Sequence, residues 1–268
     1  MDYRIYSETE KAADKNHREN EDSFMYSQFS FMKDKKIQLI VVADGMGGLS
    51  EGRRASENAV KGFMNTFYVD VMEQYMSSDM EEFSLKYSIG DIKKIMVKAI
   101  QAANRKVCDG ADEFEATGST ISAVCLIDDC AVIANVGDSP IYLYRKTAKK
   151  MKMMSKLQTV AEQAVAAGAY ERYSPEYYRN DHILYCSLGQ YDKILEDDIY
   201  VSSIGNLKSG DAILTGSDGC FGHMNEKILG RIMNECSTQE EGFLLNQIFS
   251  LARMDKDDDQ TAFLCIAE

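Results

Sequence analysis

The chain has 268 residues, 45% of them hydrophobic, which is enough to build one domain with a sizeable core. Its formal net charge of −13 argues against a nucleic-acid-binding protein, because such proteins usually present a basic face. Its seven cysteines form no C-x-x-C pair, which argues against a zinc site and indicates reduced thiols in a cytoplasmic protein.

The N-terminal segment and the apolar runs argue against secretion and against membrane insertion. The first segment of the chain is polar and contains no apolar core, so it does not resemble a signal peptide. The longest apolar runs, such as residues 37–43, are far too short to cross a bilayer. We therefore expect a cytoplasmic protein without membrane contact.

The first half of the chain alternates between β-prone and helical patterns. Residues 37–43 predict a buried strand, and residues 51–67 and 91–107 place apolar side chains on one helical face, the second helix starting near Gly90 and Asp91. A meander of strands follows at 119–127, 131–136 and 141–145. Such closely spaced strands indicate antiparallel pairing, because parallel strands need a long crossover.

The second half predicts a helix at 156–167 and then an irregular, tyrosine-rich surface excursion at 168–195. Strands are expected at 198–203, 211–217 and 261–267, and helices at 225–235 and 239–253. Together these patterns predict an α/β (α+β) sandwich, in which two central antiparallel sheets carry a helical layer on each side. We expect residues 1–268 to form a single domain with a flap-like insertion at about 168–195.

Four short acidic motifs are spread along the chain, and two of them, Asp44 and Asp218, each follow a β-prone run and precede a glycine. The four motifs are Glu21-Asp22, Asp44, Asp218 and the run 257–259. A carboxylate at the end of a buried strand is costly unless a positive charge neutralises it. Several such placements in one chain favour a site for a hard divalent cation, since Mg²⁺ and Mn²⁺ prefer oxygen ligands.

The glycines after Asp44 are expected to turn the backbone sharply, so that the Gly45 carbonyl also faces a cation. Read alone, this segment is equally consistent with a glycine-rich strand–helix turn or a phosphate cradle. It is neither a Walker loop nor a dinucleotide fingerprint. The run 257–259 alone would be a solvated acidic turn, and Gly137-Asp138-Ser139 a plain β-turn.

Six motifs, in this order along the chain, resemble those of the protein phosphatase 2C-type metal-dependent serine/threonine phosphatases. The resemblance spans nearly the whole chain. The methionine at position 46 resembles the residue at this position in the bacterial branch of the family. The motifs are Asn20-Glu21-Asp22, Asp44-Gly45-Met46-Gly47-Gly48, Thr117-Gly118-Ser119-Thr120, Gly137-Asp138-Ser139, Ser217-Asp218-Gly219 and Asp258-Asp259-Gln260-Thr261.

The resemblance implies two divalent metal ions, Mn²⁺ or Mg²⁺, and a catalytic role for the carboxylates that hold them. Asp44 would bridge the two ions. The Gly45 carbonyl, with Glu21 or Asp22 acting directly or through water, would complete one of the two metal sites.

The other metal would be held by Asp218 and Asp258, which with Asp44 form the implied catalytic set. Asp138, with Asp218, would serve a weaker third metal. The implied reaction is hydrolysis of phosphoserine and phosphothreonine esters on proteins by water that the metals activate. A bacterial cytoplasmic setting and a cognate serine/threonine kinase as functional partner follow from the same resemblance.

The sequence departs from the family pattern near the first motif. Relatives commonly have a phosphate-binding arginine five residues before Asp22, where this chain has His17 and then Arg18. A guanidinium suits phosphate oxygens, and a protonated imidazole is the alternative, so both residues are candidate phosphate ligands. Asp259 stands where an asparagine often follows the last metal ligand.

Two readings of the flap and two other functions stay open. The flap tyrosines either pack the flap onto the body or form a substrate-docking surface.

A catalytically silent binding or scaffold protein is the first alternative function, although no inferred core ligand has been replaced. A metal-dependent hydrolase of small phosphoesters is the second, because the same site chemistry serves both kinds of substrate.

Overall fold

The computed structural model describes residues 1–14, 17, 19–31, 35–47, 51–77, 88–111, 117–235, 241–255 and 258–268. Within these residues eleven strands form two antiparallel sheets. The first sheet has the order β1-β11-β10-β7-β8. Its strands are β1 (Tyr3–Glu10), β7 (Ile141–Arg145), β8 (Lys150–Met153), β10 (Ala212–Gly216) and β11 (Gln260–Ala267).

The second sheet has the order β2-β3-β5-β6-β9, and the short β4 pairs with the end of β3. Its strands are β2 (Asp22–Phe31), β3 (Lys35–Met46), β4 (Gly118–Ser119), β5 (Ile121–Ile127), β6 (Cys130–Val136) and β9 (Tyr200–Ile204). Every pairing between neighbouring strands in both sheets is antiparallel, as the short connections predict.

The described residues contain seven α-helices, five of which lie on the outer faces of the sheets. The seven are α1 (Glu51–Ser77), α2 (Ile89–Gly110), α3 (Val160–Ala166), α4 (Pro175–Tyr178), α5 (Asp218–Phe221), α6 (Glu226–Glu235) and α7 (Glu241–Asp255). The long pair α1 and α2 covers the second sheet, and α5, α6 and α7 cover the first. This is the predicted sandwich with a helical layer on each side.

Successive side chains along a strand point to opposite faces of its sheet, which explains how the sheets pack against each other and against the helices. In β3, Leu39 and Val41 face α1 and α2, whereas Ile40 and Val42 face the other sheet. In β11, Leu264 faces the outer helices of the first sheet, and its neighbours on either side point into the space between the sheets. Apolar side chains on both faces let these strands be buried completely.

Some element boundaries differ from the sequence-based expectations. The helix expected at 156–167 covers only Val160–Ala166, because Gln158 holds an extended segment by accepting from Gly137 N at 2.7 Å and donating to Asp198 O at 2.7 Å. The helix expected at Gly90-Asp91 begins at Ile89, since Ser88 and Asp91 form a capping box. Strand β3 does not end at Asp44 but continues to Met46.

Membrane insertion finds no support in the part of the chain described. No helix there is both long and apolar enough to cross a membrane. The cysteines in this part are all free thiols, as expected: Cys108, Cys125, Cys130, Cys186, Cys220 and Cys265. Cys236 lies outside the described residues.

Candidate metal centre

Asp22 and Asp44 face each other across neighbouring strands. They are directly paired in the antiparallel register of β2 and β3. The Asp44 backbone is fixed on its other side, where its N–H donates to Thr120 Oγ1 at 3.0 Å and its carbonyl accepts from Ser119 Oγ at 3.0 Å. Because the strand continues past Asp44, the carboxylate is presented from a rigid element.

Asp218 approaches this pair from the first sheet, as the first residue of α5. Ser217 connects the two sheets here: its hydroxyl donates to Asp22 Oδ2 at 2.7 Å and accepts from Thr261 N at 3.0 Å. The carboxyl group of Asp218 is close enough to that of Asp44 to raise its pKa. The edge where the sheets meet therefore brings together three motifs that are far apart in sequence.

Gly219 lets the segment before β11 pass close to Asp218. A Cβ atom at this glycine would lie 1.9 Å from Asp259 O and 3.2 Å from Asp258 Cβ. Any larger residue would push the Asp258–Asp259 segment away. The fourth acidic motif thus lies beside the other three, although its Asp257 falls outside the described residues.

Glu21 and Gly45 lie together at the start of α1. A Cβ atom on Gly45 would meet Gly52 O at 2.0 Å and Glu21 O at 2.8 Å, and one on Gly52 would meet Glu21 Oε2 at 2.6 Å. Ser56 Oγ donates to Glu21 O at 2.5 Å. Burial, with the nearby charges of Asp259 and Asp258, raises the pKa of Glu21, although His17 opposes this.

Asp138 follows β6 in a turn that Gly137 makes possible with a φ of +95°. Asp138 is buried, and the next residue, Ser139, shares a 2.7 Å hydrogen bond with Thr120. Asp138 and Asp218 lie on the wall of a common cavity of about 200 Å³. The two carboxylates therefore line the same cavity.

The carboxylates of this cluster repel one another. Burial raises the pKa of Asp44 well above its usual range, and the charges of Asp22, Asp218 and Asp138 raise it further. Burial also raises the pKa of Asp22 to about 7, although hydrogen bonds from Ser217 and Thr261 oppose the shift. Without a counter-charge, the cluster therefore takes up protons near neutral pH.

The donor set fits divalent cations. Among the described residues, no three carboxylate, histidine or cysteine side chains surround one point closely enough to hold a metal alone. Mg²⁺ and Mn²⁺ also take carbonyl and water oxygens, so a metal held here would need such oxygens beside the carboxylates. In addition, Asp22 Oδ1 is buried and has no hydrogen-bond partner among the described residues. A positive charge would satisfy this oxygen and relieve the repulsion.

Asp259 has a structural role that the sequence did not reveal. It is 4% exposed, and its carboxylate accepts from Ala12 N at 2.8 Å, Glu21 N at 2.6 Å and His17 Nε2 at 2.7 Å. His17 is thus engaged with Asp259 at the edge of the cluster. Arg18, the other candidate phosphate ligand, lies outside the described residues. The partners of Asp259 are distant in sequence, so its role as an acceptor between two loops could not be predicted. The only local sign is that it replaces an asparagine.

The flap tyrosines pack against one another and against His223 in the turn that follows α5. The rings of Tyr177 and Tyr178 are 5.7 Å apart, and Tyr178 contacts His223 edge-on at 5.3 Å. Tyr177 is buried and donates from its hydroxyl to Glu162 Oε1 at 2.8 Å. This favours the packing interpretation, while Tyr173, Tyr177 and Tyr178 also form one wall of the cavity beside Asp218.

A family model described as protein phosphatase 2C matches residues 12–238, most of the chain. The chain belongs to the protein phosphatase 2C family. The prediction drawn from the six motifs is thereby confirmed, and this phosphatase is a hydrolase of phosphoester bonds in a family that uses divalent metals.

Three comparisons illustrate the relationship. A putative protein phosphatase 2C-type from Streptococcus pyogenes is 27% identical over 214 residues, which cover 79% of each chain. The serine/threonine phosphatase Stp1 from Staphylococcus aureus superposes with a TM-score of 0.75 at 18% identity, covering 100% of this chain and 96% of that chain. The catalytic domain of the serine/threonine phosphatase PstP, crystallised with 2 manganese ions, superposes with a TM-score of 0.68 at 18% identity, over 98% and 97% of the two chains. The two structural likenesses confirm the predicted fold.

Proposed function

We propose that this phosphatase hydrolyses phosphoserine and phosphothreonine in proteins with two Mn²⁺ or Mg²⁺ ions held by the cluster around Asp44. One ion would take Asp44, the Gly45 carbonyl and Glu21 or Asp22, directly or through water. The observation that carries the proposal is the convergence of mutually repelling carboxylates around Asp44. One of them, Asp22, has a buried oxygen with no hydrogen-bond partner in the part of the chain that the structure describes.

The second ion would be held by Asp44, Asp218 and Asp258. Asp138 and Asp218 would serve a third, weaker site at the wall of the cavity. Asp259 would hold the loop that carries Glu21, since it accepts from that residue's N–H. We further propose that residues 1–268 act as one catalytic domain, with 168–195 as its flap.

Divalent cations in such a pair lower the pKa of a water molecule and neutralise charge on a bound phosphate. The chain itself supplies positioning. Asp44 is fixed by β3 and Thr120, and Asp218 by the start of α5 and its bonded neighbour Ser217. These rigid supports keep both carboxylates in place when they are ionised, which is what preorganised catalysis requires.

The bacterial setting of the phosphatases it resembles supports a cytoplasmic enzyme that opposes a serine/threonine kinase. We propose such a kinase as functional partner. The names of the Staphylococcus aureus and PstP phosphatases support serine and threonine phosphoesters as substrates.

The test is hydrolysis of a phosphothreonine peptide by purified protein with added Mn²⁺, in parallel with EDTA and with Asp44→Asn. The proposal expects turnover that requires metal and falls by more than about a hundredfold in the mutant. Turnover on small phosphometabolites measured in the same assay separates a protein phosphatase from a small-phosphoester hydrolase. A folded protein that binds Mn²⁺ and turns over neither substrate would instead be a silent binding protein.

A further inference from the structure

A basic groove lies between the β7–β8 hairpin and helix α6. Residues 145–156 contain six Lys and Arg and no Asp or Glu, in a chain whose net charge is −13. The groove encloses about 450 Å³, and its exposed cations come from both elements. They are Lys149, Lys150, Lys227 and Arg231.

The groove has a defined shape. Asn234 on α6 accepts from Tyr144 OH at 2.7 Å and donates to Lys149 O at 3.3 Å, which fixes the hairpin against the helix. The helix packs against the strand at Gly230, where a Cβ atom would lie at the ordinary contact distance of 3.6 Å from Met151 Cβ. Met151 thus forms an apolar floor below the cations.

These cations differ from those basic surface residues that are held in ion pairs. Elsewhere Lys61 pairs with Glu57, and Lys98 pairs with Asp70. None of the four groove cations forms an ion pair with another residue in the described ranges. Lysines on an edge strand protect it against aggregation. This would explain Lys150 on β8, but it would explain neither Lys227 nor Arg231 on α6. Lys227 and Arg231 are like charges four residues apart on a helix, which is unfavourable without a counter-charge.

The groove lies next to the cavity beside the candidate metal centre. Met153 lines that cavity, and its N–H donates to Oε1 of Glu226, which lines the groove, at 3.3 Å. Met151 and Met153 lie on the same face of β8, about 7 Å apart. Two glutamates also line the groove: Glu226, which is bonded to Met153 N, and Glu235, the last residue of α6. A substrate chain leaving the metal centre through the cavity would therefore reach the cations.

We propose that this groove binds an acidic stretch of the phosphoprotein substrate, at a distance from the phosphorylated residue. The inference rests on the proposed function. The candidate metal centre is rich in carboxylates, so it does not itself attract an acidic stretch of the substrate chain. The groove provides a separate attraction that orients the substrate chain. Charge complementarity of this kind raises the association rate and thereby lowers KM.

The experiment compares two phosphothreonine peptides with the same central sequence. One carries glutamates about four to eight positions from the phosphothreonine, and the other carries glutamines at the same positions. Each peptide is made in two forms, with these residues on the N-terminal or on the C-terminal side of the phosphothreonine. The groove variant is Lys149→Asn, Lys150→Gln and Arg231→Gln. Asparagine suits position 149, whose φ is +50°. The matched control removes three exposed cations from α2, on the other helical layer: Lys94→Gln, Arg105→Gln and Lys106→Gln.

The wild-type protein should show a roughly three- to tenfold higher kcat/KM on the acidic peptide, chiefly through KM. High salt and the groove variant should abolish this preference, and the control variant should keep it. Equal kcat/KM on the two peptides, or the same loss in the control variant, would overturn the proposal.

Two further measurements separate failure of the inference from failure of the proposed function. Turnover of p-nitrophenyl phosphate should be equal in wild type, groove variant and control, since this ester has no chain to reach the groove. Binding of a labelled acidic peptide without phosphate, followed by fluorescence anisotropy, needs no turnover. Binding lost in the groove variant supports the groove even in an inactive protein, and equal binding in all three proteins rejects it.

Discussion

His17 Nε2 lies 2.7 Å from Asp259 Oδ2, and these two residues occupy the positions at which the chain departs from the family's arginine and asparagine. The two departures are therefore in direct contact. Asp259 also accepts from the backbone N–H groups of Ala12 and Glu21. The pair thus ties the N-terminal loop to the segment before β11 and holds Glu21 beside the candidate metal centre.

The first prediction concerns the pH dependence of this contact. Burial lowers the pKa of His17, but the hydrogen bond and charge of Asp259 outweigh it, so the net pKa is raised. A raised folded-state pKa contributes stability that is complete below the unfolded value of about 6.5 and is lost as pH rises through the folded value. His17→Gln keeps a donor but removes the charge. It should lower the free energy of unfolding by about 1 kcal/mol at pH 5.5 and by less at pH 9, measured by urea denaturation. A deficit that does not vary with pH would rule this out.

The second prediction separates the two candidate phosphate ligands. Because His17 is engaged by Asp259, Arg18 is the better candidate to contact the phosphate. Arg18→Ala should raise KM for a phosphopeptide about tenfold while Mn²⁺ affinity changes little, since a charge-assisted hydrogen bond to phosphate is lost. Steady-state kinetics and Mn²⁺ titration measure the two quantities. An unchanged KM would reject Arg18 in this role.

The third prediction uses the repulsion within the carboxylate cluster. Asp22 and Asp44 have raised pKa values in the fold, so metal-free protein should lose stability as pH rises from about 4 through about 7. Asp44→Asn removes one repelling charge and should raise the free energy of unfolding of metal-free protein at pH 8 by about 1–2 kcal/mol, while abolishing activity. Thermal unfolding in EDTA across this pH range is the measurement. A destabilised mutant would show that the repulsion is not significant.

The fourth prediction contrasts two adjacent aspartates. Asp258 is the proposed metal ligand, whereas Asp259 holds backbone N–H groups and His17. Asp258→Asn should reduce kcat more than about a hundredfold and weaken Mn²⁺ binding. Asp259→Asn keeps a hydrogen-bond acceptor and should cost about 1 kcal/mol of stability and only a few-fold in kcat. Equal kinetic losses in both mutants would contradict the assigned roles.

The sequence predicted the elements whose own residues determine them. Strands β3, β5 and β6 have continuous apolar runs, and α1 and α2 have a helical apolar face, so all five were identified. Strands β1 and β2 were missed, because each lies at the edge of its sheet and exposes many of its side chains. Residues 156–159 were assigned to a helix because the side-chain contacts of Gln158 are distant in sequence.

Some residues of the candidate site could likewise be predicted from the sequence, and others could not. The acidic motifs carry local signals, strand ends next to glycine, and could be found from the sequence. The role of Asp259 could not, because its partners Ala12 and His17 are more than two hundred residues away. The Ser217–Asp22 hydrogen bond likewise depends on how the two sheets meet. Spacing along the chain holds no information about such contacts.

The most direct test of the account is a calorimetric titration of Mn²⁺ into EDTA-treated, re-purified protein at pH 8, with phosphopeptide turnover measured on the same samples. The account predicts two equivalents of Mn²⁺ bound, turnover that rises with the second, and loss of both in Asp44→Asn. Full turnover in EDTA, or unchanged Mn²⁺ binding and activity in Asp44→Asn, would show that this carboxylate cluster is not the catalytic centre.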